Sequence, residues 1–320
     1  MNAPLFQKLL VVTDFSEGAS GAMAQAVWLA ELVGAEVTVA HVIPFPHDTT
    51  TTFLNNPWYV AADSEEVERR LLAWADRRLR DLIEPYRGRP VALDTKILWG
   101  TPFIEIIQTV QSEEFDLVIA GRHGLSAISR FFIGSTAARL VRKCPCPVWT
   151  VKQPAKESLR TILAPIDFSD VSRQSLRLAA ELARRADCSL RVLHVDTEGV
   201  DYGFDIIWSD NEEPTVSARR HRRRRQLQEQ ARDFTRELKL PVDPQIVIER
   251  GDAWKRIVSA TKRLGADLTV LGTLGRAGVA GMVIGNTAEK VLNSADGSIL
   301  AIKPDGFVSP VPERAAAMQV

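Results

Sequence analysis

One pattern occurs twice in this chain and constrains its fold more than any other. Phe115 to Ala120 is a short apolar run, followed by Gly121, Gly124 and Gly134 in the spacing G-x2-G-x9-G. Gly272, Gly275 and Gly285 repeat that spacing 151 positions later, again after an apolar run. A short apolar run bounded by glycine reads as a buried strand. Gly134, Ser135 and Thr136 then open a helical pattern. Strand, glycine loop and helix start form an arrangement suited to phosphate. Glycine lets backbone N–H groups approach an anion, and the helix start adds unsatisfied donors and a positive dipole end.

The duplication extends beyond the glycines. Asp14-Phe15-Ser16 recurs as Asp167-Phe168-Ser169, and His41-Val42 as His194-Val195, both 153 positions on. Gly100 recurs as Gly251 at 151. Landmarks in one order with a two-residue drift mark two copies of one domain. Within the first copy, strands are expected at Lys8 to Thr13, Glu36 to Val42, Val91 to Leu98, Phe115 to Ala120 and Pro147 to Lys152. Helical patterns separate them: Ala19 to Val33, Ser64 to Tyr86, Thr101 to Gln111 and Ser135 to Lys143. Ser16 is placed to cap the first helix and Pro102 sits in the first turn of the third. Alternating strands and helices predict an α/β fold, a parallel sheet with helices on both faces. The expected domains are 1–153 and 159–304, joined by a linker at Pro154 to Leu159, with 305–320 a flexible tail.

Composition narrows the class. At 320 residues, two domains are the natural expectation. Forty basic and forty acidic residues cancel, so global charge does not argue for nucleic acid or membrane. Three cysteines, Cys144, Cys146 and Cys188, form no paired framework, which fits a reducing cytoplasm. No signal peptide and no apolar run of about 18 residues is found, so a cytoplasmic protein without a membrane span is expected.

Open parallel sheets bind ligands beyond the carboxyl ends of their strands, where strand order reverses. Asp14, Val42 and the Gly121 loop all lie at such ends. A carboxylate there can accept from a ribose, backbone beside Val42 can read an adenine edge, and the glycine loop with Ser135 can hold phosphates. No Walker A sequence occurs, and no G-x-G-x-x-G follows the first strand, which disfavours P-loop NTPases and Rossmann dehydrogenases.

With V-x-D-F-S at the first strand end, HV in the second strand and G-x2-G-x9-G-[S/T], the chain resembles the universal stress proteins over both halves. That resemblance implies two tandem, doubly wound, five-stranded parallel-sheet domains, Rossmann-like, in the order 3-2-1-4-5. It implies ATP bound at the glycine signature, and Mg²⁺ is expected to bridge the phosphates of ATP in the first half. The carried-over positions in the first half are Thr13, Asp14, Val42, Gly121, His123, Gly124, Gly134, Ser135 and Thr136. In the second half they are Asp167, Val195, Gly272, Gly275, Gly285, Asn286 and Thr287. Asn286 departs from the family's small hydroxyl, which weakens the second site. The first half should therefore bind ATP more tightly, helped by the cation of Arg122. An intramolecular pseudo-dimer through Pro147 to Lys152 and Ser298 to Lys303 is implied as well, with a homodimer of the chain as a further option.

Other features carry less. His123 either touches phosphate or is solvated, and Phe131 and Phe132 either cover the nucleotide or pack on the helix. Cys144-Pro-Cys146-Pro is read as the setting of a strand edge, and no metal site is expected. Arg219 to Arg225 is read as a solvated helix face balanced by Glu212, Glu213 and Glu229, in preference to a site for RNA or anionic lipid. No nucleophile–base pair or paired carboxylates stand out, so a regulatory binding protein with at most slow ATP hydrolysis is expected. The alternative is an interaction protein of the same fold with vestigial sites.

Overall fold

A computed structural model describes residues 5–44, 64–122, 133–155, 157–197, 216–275 and 284–314. Tertiary contacts divide the chain into two units, 1–157 with 306–320, and 158–305.

In the first unit, β1 (Lys8–Thr13), β2 (Glu36–Ile43), β3 (Leu93–Trp99), β4 (Leu117–Gly121) and β5 (Val148–Val151) alternate with α1 (Glu17–Val33), α2 (Ser64–Ile83), α3 (Pro102–Glu113) and α4 (Ser135–Lys143). The strands are parallel in the order β3-β2-β1-β4-β5. Leu9, Leu10, Leu117, Ile119 and Trp149 are completely buried. Burial of successive strand residues, which point to opposite faces, requires cover on both sides of the sheet. The strand order turns back at β1, which pairs with β2 on one side and β4 on the other. The crevice at the strands' carboxyl ends therefore opens between β1 and β4.

Local chemistry sets the helix ends. Ser16 Oγ accepts from Ala19 N at 3.2 Å and caps α1. Gly34 closes the helix in the left-handed region (φ 77°), a conformation glycine adopts without a Cβ penalty.

The second unit repeats this plan with β6 (Thr161–Ile166), β7 (Ser189–Asp196), β8 (Gln245–Arg250), β9 (Leu268–Gly272) and β10 (Ser298–Ile302). Its helices are α5 (Asp170–Arg185), α6 (Val216–Glu237), α7 (Ala253–Arg263) and α8 (Asn286–Ser294). Its parallel strands lie in the matching order β8-β7-β6-β9-β10. Ser169 Oγ caps α5 by accepting from Ser172 N at 3.2 Å, as Ser16 caps α1. No helix among the described residues is long and apolar enough to cross a membrane.

The segment after β10, expected to be a flexible tail, makes defined contacts as far as residue 314. Val311 is buried, and the Gln108 and Gln111 side chains donate to the carbonyls of Pro312 (3.1 Å) and Val311 (3.3 Å). Arg314 pairs with Glu105. These contacts lie along α3, so the segment fastens to the first unit. Full burial of a valine stabilises by about 1.5–3 kcal/mol. Truncation before Gly306 is expected to lower the first unit's melting temperature by about 5 °C in scanning calorimetry. An unchanged transition would show that these contacts contribute nothing.

Candidate functional site

Val12 and Thr13 at the end of β1, with Asp14 just after it, meet His41 and Val42 from β2, Ala120 and Gly121 from β4, and Gly134 to Ala137 at the start of α4 around one crevice. It measures about 140 Å³. Pockets that enclose whole small ligands begin at roughly 300 Å³, so these residues would enclose a nucleotide only in part. Of the first-half residues expected from sequence, Thr13, Asp14, Val42, Gly121, Gly134, Ser135 and Thr136 come together here. His123, Gly124, Phe131 and Phe132 lie outside the described residues.

The α4 end of the crevice is an anion-binding geometry. Gly134, the N-cap residue, has no side chain to satisfy the first-turn donors. The N–H groups of Ser135, Thr136 and Ala137 precede the first intrahelical bond, Ala138 N to Gly134 O at 2.9 Å. Gly134's own N–H is already committed to Arg122 O at 2.8 Å. At the β1 end, Asp14 Oδ1 accepts from Ser16 N at 3.0 Å and Thr13 Oγ1 accepts from Phe15 N at 2.9 Å. These bonds hold Phe15 at a positive φ of 61°, and its counterpart Phe168 sits at 63°. Phe15 stacks on His41 at 4.4 Å and meets Trp74 edge-on at 5.3 Å. Phe168 does the same with His194 (4.5 Å) and Phe234 (5.3 Å).

One expectation is revised and another gains a second cause. Gly121 lines the crevice, and a Cβ there would fall 2.6 Å from Gly18 C and 2.9 Å from Ala19 N. Its bareness lets β4 touch the backbone of α1. Arg122, expected to offer phosphate a cation, is 3% exposed and does not line the crevice. Its backbone is drawn inward by the bond from Arg122 N to Val151 O at 2.9 Å.

In the sequence His41 stands out only as a landmark of the repeat. Its Nδ1 lies 2.9 Å from Thr13 O. A carbonyl only accepts, so Nδ1 carries the proton and the neutral ring keeps Nε2 as an acceptor. The register pairing Thr13 with His41 could have suggested this contact. Burial lowers the His41 pKa, against the opposing pull of the Thr13 bond and the Asp14 charge. With a folded pKa below the unfolded value of about 6.5, the unfolded chain takes up the proton first as pH falls. The contribution to stability is complete above about pH 6.5 and is lost as pH falls from there through the folded pKa. The melting temperature of wild type relative to His41→Asn should therefore decline between about pH 7.5 and about pH 5.5. Parallel pH profiles would contradict this role.

In the second unit, Asp167, Gly275 and Gly285 gather. A Cβ on Gly275 would lie 2.5 Å from Asp167 Oδ2, and one on Gly285 would lie 3.9 Å from Gly275 N. Asp167 Oδ1 accepts from Ser169 N (3.1 Å) and Ser169 Oγ (2.5 Å). Val171 stands where the first unit has Gly18, and its Cγ1 is 2.5 Å from the Cβ position of Gly272. Val195 is half-buried near the end of β7, and Asn286 and Thr287 are exposed at the start of α8.

Two parallel α/β domains, the first with a switch-point crevice between an uncapped helix start and a strand-end aspartate, define a doubly wound class of fold. The universal stress protein family model matches residues 5–152 and 158–303, and the chain belongs to that family. It is 28% identical to universal stress protein E of Salmonella typhi over 313 residues, covering 96% of this chain and 97% of that one. Universal stress protein E of Escherichia coli (strain K12) is 27% identical over the same length and coverage. The solved structure of a universal stress protein from Archaeoglobus fulgidus DSM 4304 matches with a TM-score of 0.68 at 18% identity, over 92% of this chain and 98% of that one. At that identity the likeness concerns the fold.

Proposed function

We propose that the first unit binds ATP, and that the chain acts as a regulatory stress-response protein with little or no catalytic turnover. The observation that carries this reading is the uncapped first turn of α4, facing a crevice whose other wall holds Asp14. First-turn N–H groups and the helix dipole suit phosphate oxygens. The Asp14 carboxylate suits a ribose hydroxyl, and the backbone beside Val42 an adenine edge. Among the described residues, no group of three or more His, Cys, Asp or Glu side chains is placed to hold a metal. Mg²⁺ would therefore be held chiefly by the phosphates and water, as this ion commonly is. A single strand-end carboxylate and one imidazole bonded to a carbonyl do not make the paired acid and base of a hydrolase.

For the second unit, a specific observation favours the alternative of a vestigial site. Val171 occupies the helix start, and the Gly275 backbone closes on Asp167. Equilibrium binding of ATP to the purified chain, with phosphate release followed in parallel, tests both parts. Binding without appreciable release is expected; rapid release would establish an enzyme, and no binding would leave an interaction protein.

A further inference from the structure

Helix α6 (Val216–Glu237) carries the run Arg219-Arg220-His221-Arg222-Arg223-Arg224-Arg225 in its N-terminal half. Successive helical residues are turned by about 100°, so a seven-residue run spreads its cations around the helix instead of along one face. From 218 to 226 every residue is exposed except the half-buried Arg223, which lies 3.6 Å from Asp196. Burial starts only at Leu227 and continues at Ala231, Phe234 and Leu238. The C-terminal half therefore anchors the helix, and the arginine half stands in solvent.

The corresponding helix of the first unit shows how such arginines are ordinarily balanced. Arg69 and Arg70 pair with Glu66, and Arg80 with Asp76. Its first turn carries Glu65 and Glu66. The first turn of α6 has no acidic residue. Arg220, Arg222, Arg224 and Arg225 make no ion pair among the described residues; of the residues expected to balance them, Glu229 is exposed on the same helix and makes none either, and Glu212 and Glu213 lie outside the described residues. Arginines at the N-terminal end oppose the helix dipole, and Arg220 and Arg224 repel at i, i+4. An external polyanion would relieve both.

The distribution of the charge selects the polyanion. Lipid headgroups meet a helix from one side and need an apolar face on it. The stretch 216–226 offers only Val216 and Ala218. A duplex groove presents phosphates on both walls, and a major groove about 12 Å wide admits a helix about 10–12 Å across. Further along, Arg232 and Arg236 of α6, with Lys239 just past its end, line an open cleft of about 900 Å³, which extends the basic track. We propose that α6 is a docking surface for a nucleic-acid duplex, held through its phosphates and without reading of base sequence.

Fluorescence anisotropy of the full chain with a fluorescein-labelled DNA duplex of about 20 base pairs, at about 50 and about 200 mM salt, tests this. Wild type should bind, and each phosphate contact should contribute about −0.9 to the slope of log affinity against log salt. The variant Arg220→Gln/Arg222→Gln/Arg224→Gln/Arg225→Gln should lose at least about a hundredfold at low salt, with a slope shallower by about 3.6. It should also melt no lower than wild type, because it removes repulsion. The same four positions changed to Lys should keep the salt slope. A charge-matched control, Arg69→Gln/Arg70→Gln/Arg77→Gln/Arg80→Gln, should bind like wild type. No binding by wild type at low salt, an equal loss in the control, or tighter binding to phosphatidylserine vesicles than to the duplex would each overturn the proposal.

Discussion

Gly134→Val is expected to weaken ATP binding by the first unit about a hundredfold, roughly 2.7 kcal/mol, while the fold survives. Gly134 has φ −57° and ψ 147°, a region open to valine, so the backbone does not resist the substitution. Its N–H would still reach Arg122 O. The new isopropyl group, however, would stand in the crevice beside the first-turn N–H groups of Ser135 and Thr136. Phosphate oxygens would be held off those donors, and charge-assisted bonds of roughly 1.5–3 kcal/mol each would be lost or lengthened. Equilibrium dialysis with labelled ATP, alongside circular dichroism, checks this. Wild-type affinity in a natively folded variant would show that the α4 start does not hold the phosphates.

The largest stability effect is expected at Gly121. Gly121→Ala puts a methyl group 2.6 Å from Gly18 C, 2.7 Å from Gly18 O and 2.9 Å from Ala19 N. All three atoms belong to the first turn of α1, whose position is fixed by the Ser16 cap. Overpacking costs about 1–3 kcal/mol, and a backbone obstacle places this case at the upper end. The first unit should melt about 6–12 °C lower. Gly272→Ala meets chiefly Val171 Cγ1, a side chain that can give way at less cost than a helix turn, although Leu274 O is also within 3.2 Å. Its expected cost is about 1 kcal/mol. Calorimetric unfolding of the two variants decides; equal losses would mean that the contact with α1 is not the cause.

The architecture was legible because its signals are periodic. KLLVVT and LVIAG are buried on successive residues and read as strands without further context. The recurrence of Asp-Phe-Ser, His-Val and the glycines exposed the duplication. The gathering of Asp14, Val42, Gly134 and Ser135 followed from strand ends and the switch-point rule. What sequence did not separate is a glycine kept bare for an anion from one kept bare for a neighbouring backbone. Gly121 satisfies the same spacing in either case, and only the approach of α1 to β4 distinguishes them. Arg122 looked like a loop cation because a loop arginine ordinarily reaches solvent; its burial depends on tertiary bonds to β5 and Gly134. Val311 lies in a proline-rich stretch without periodicity, so nothing local marked it as buried. One further signal is present in the sequence: aligning the halves sets Val171 against Gly18, a larger side chain at the start of the second unit's first helix.

Calorimetric titration of ATP with Mg²⁺ into the intact chain and into Gly134→Val and Gly285→Val tests the central claim most directly. A single ATP per chain is predicted, with binding lost in Gly134→Val and kept in Gly285→Val. Absence of binding in the intact chain, or loss confined to Gly285→Val, would contradict the assignment of the nucleotide site to the first unit.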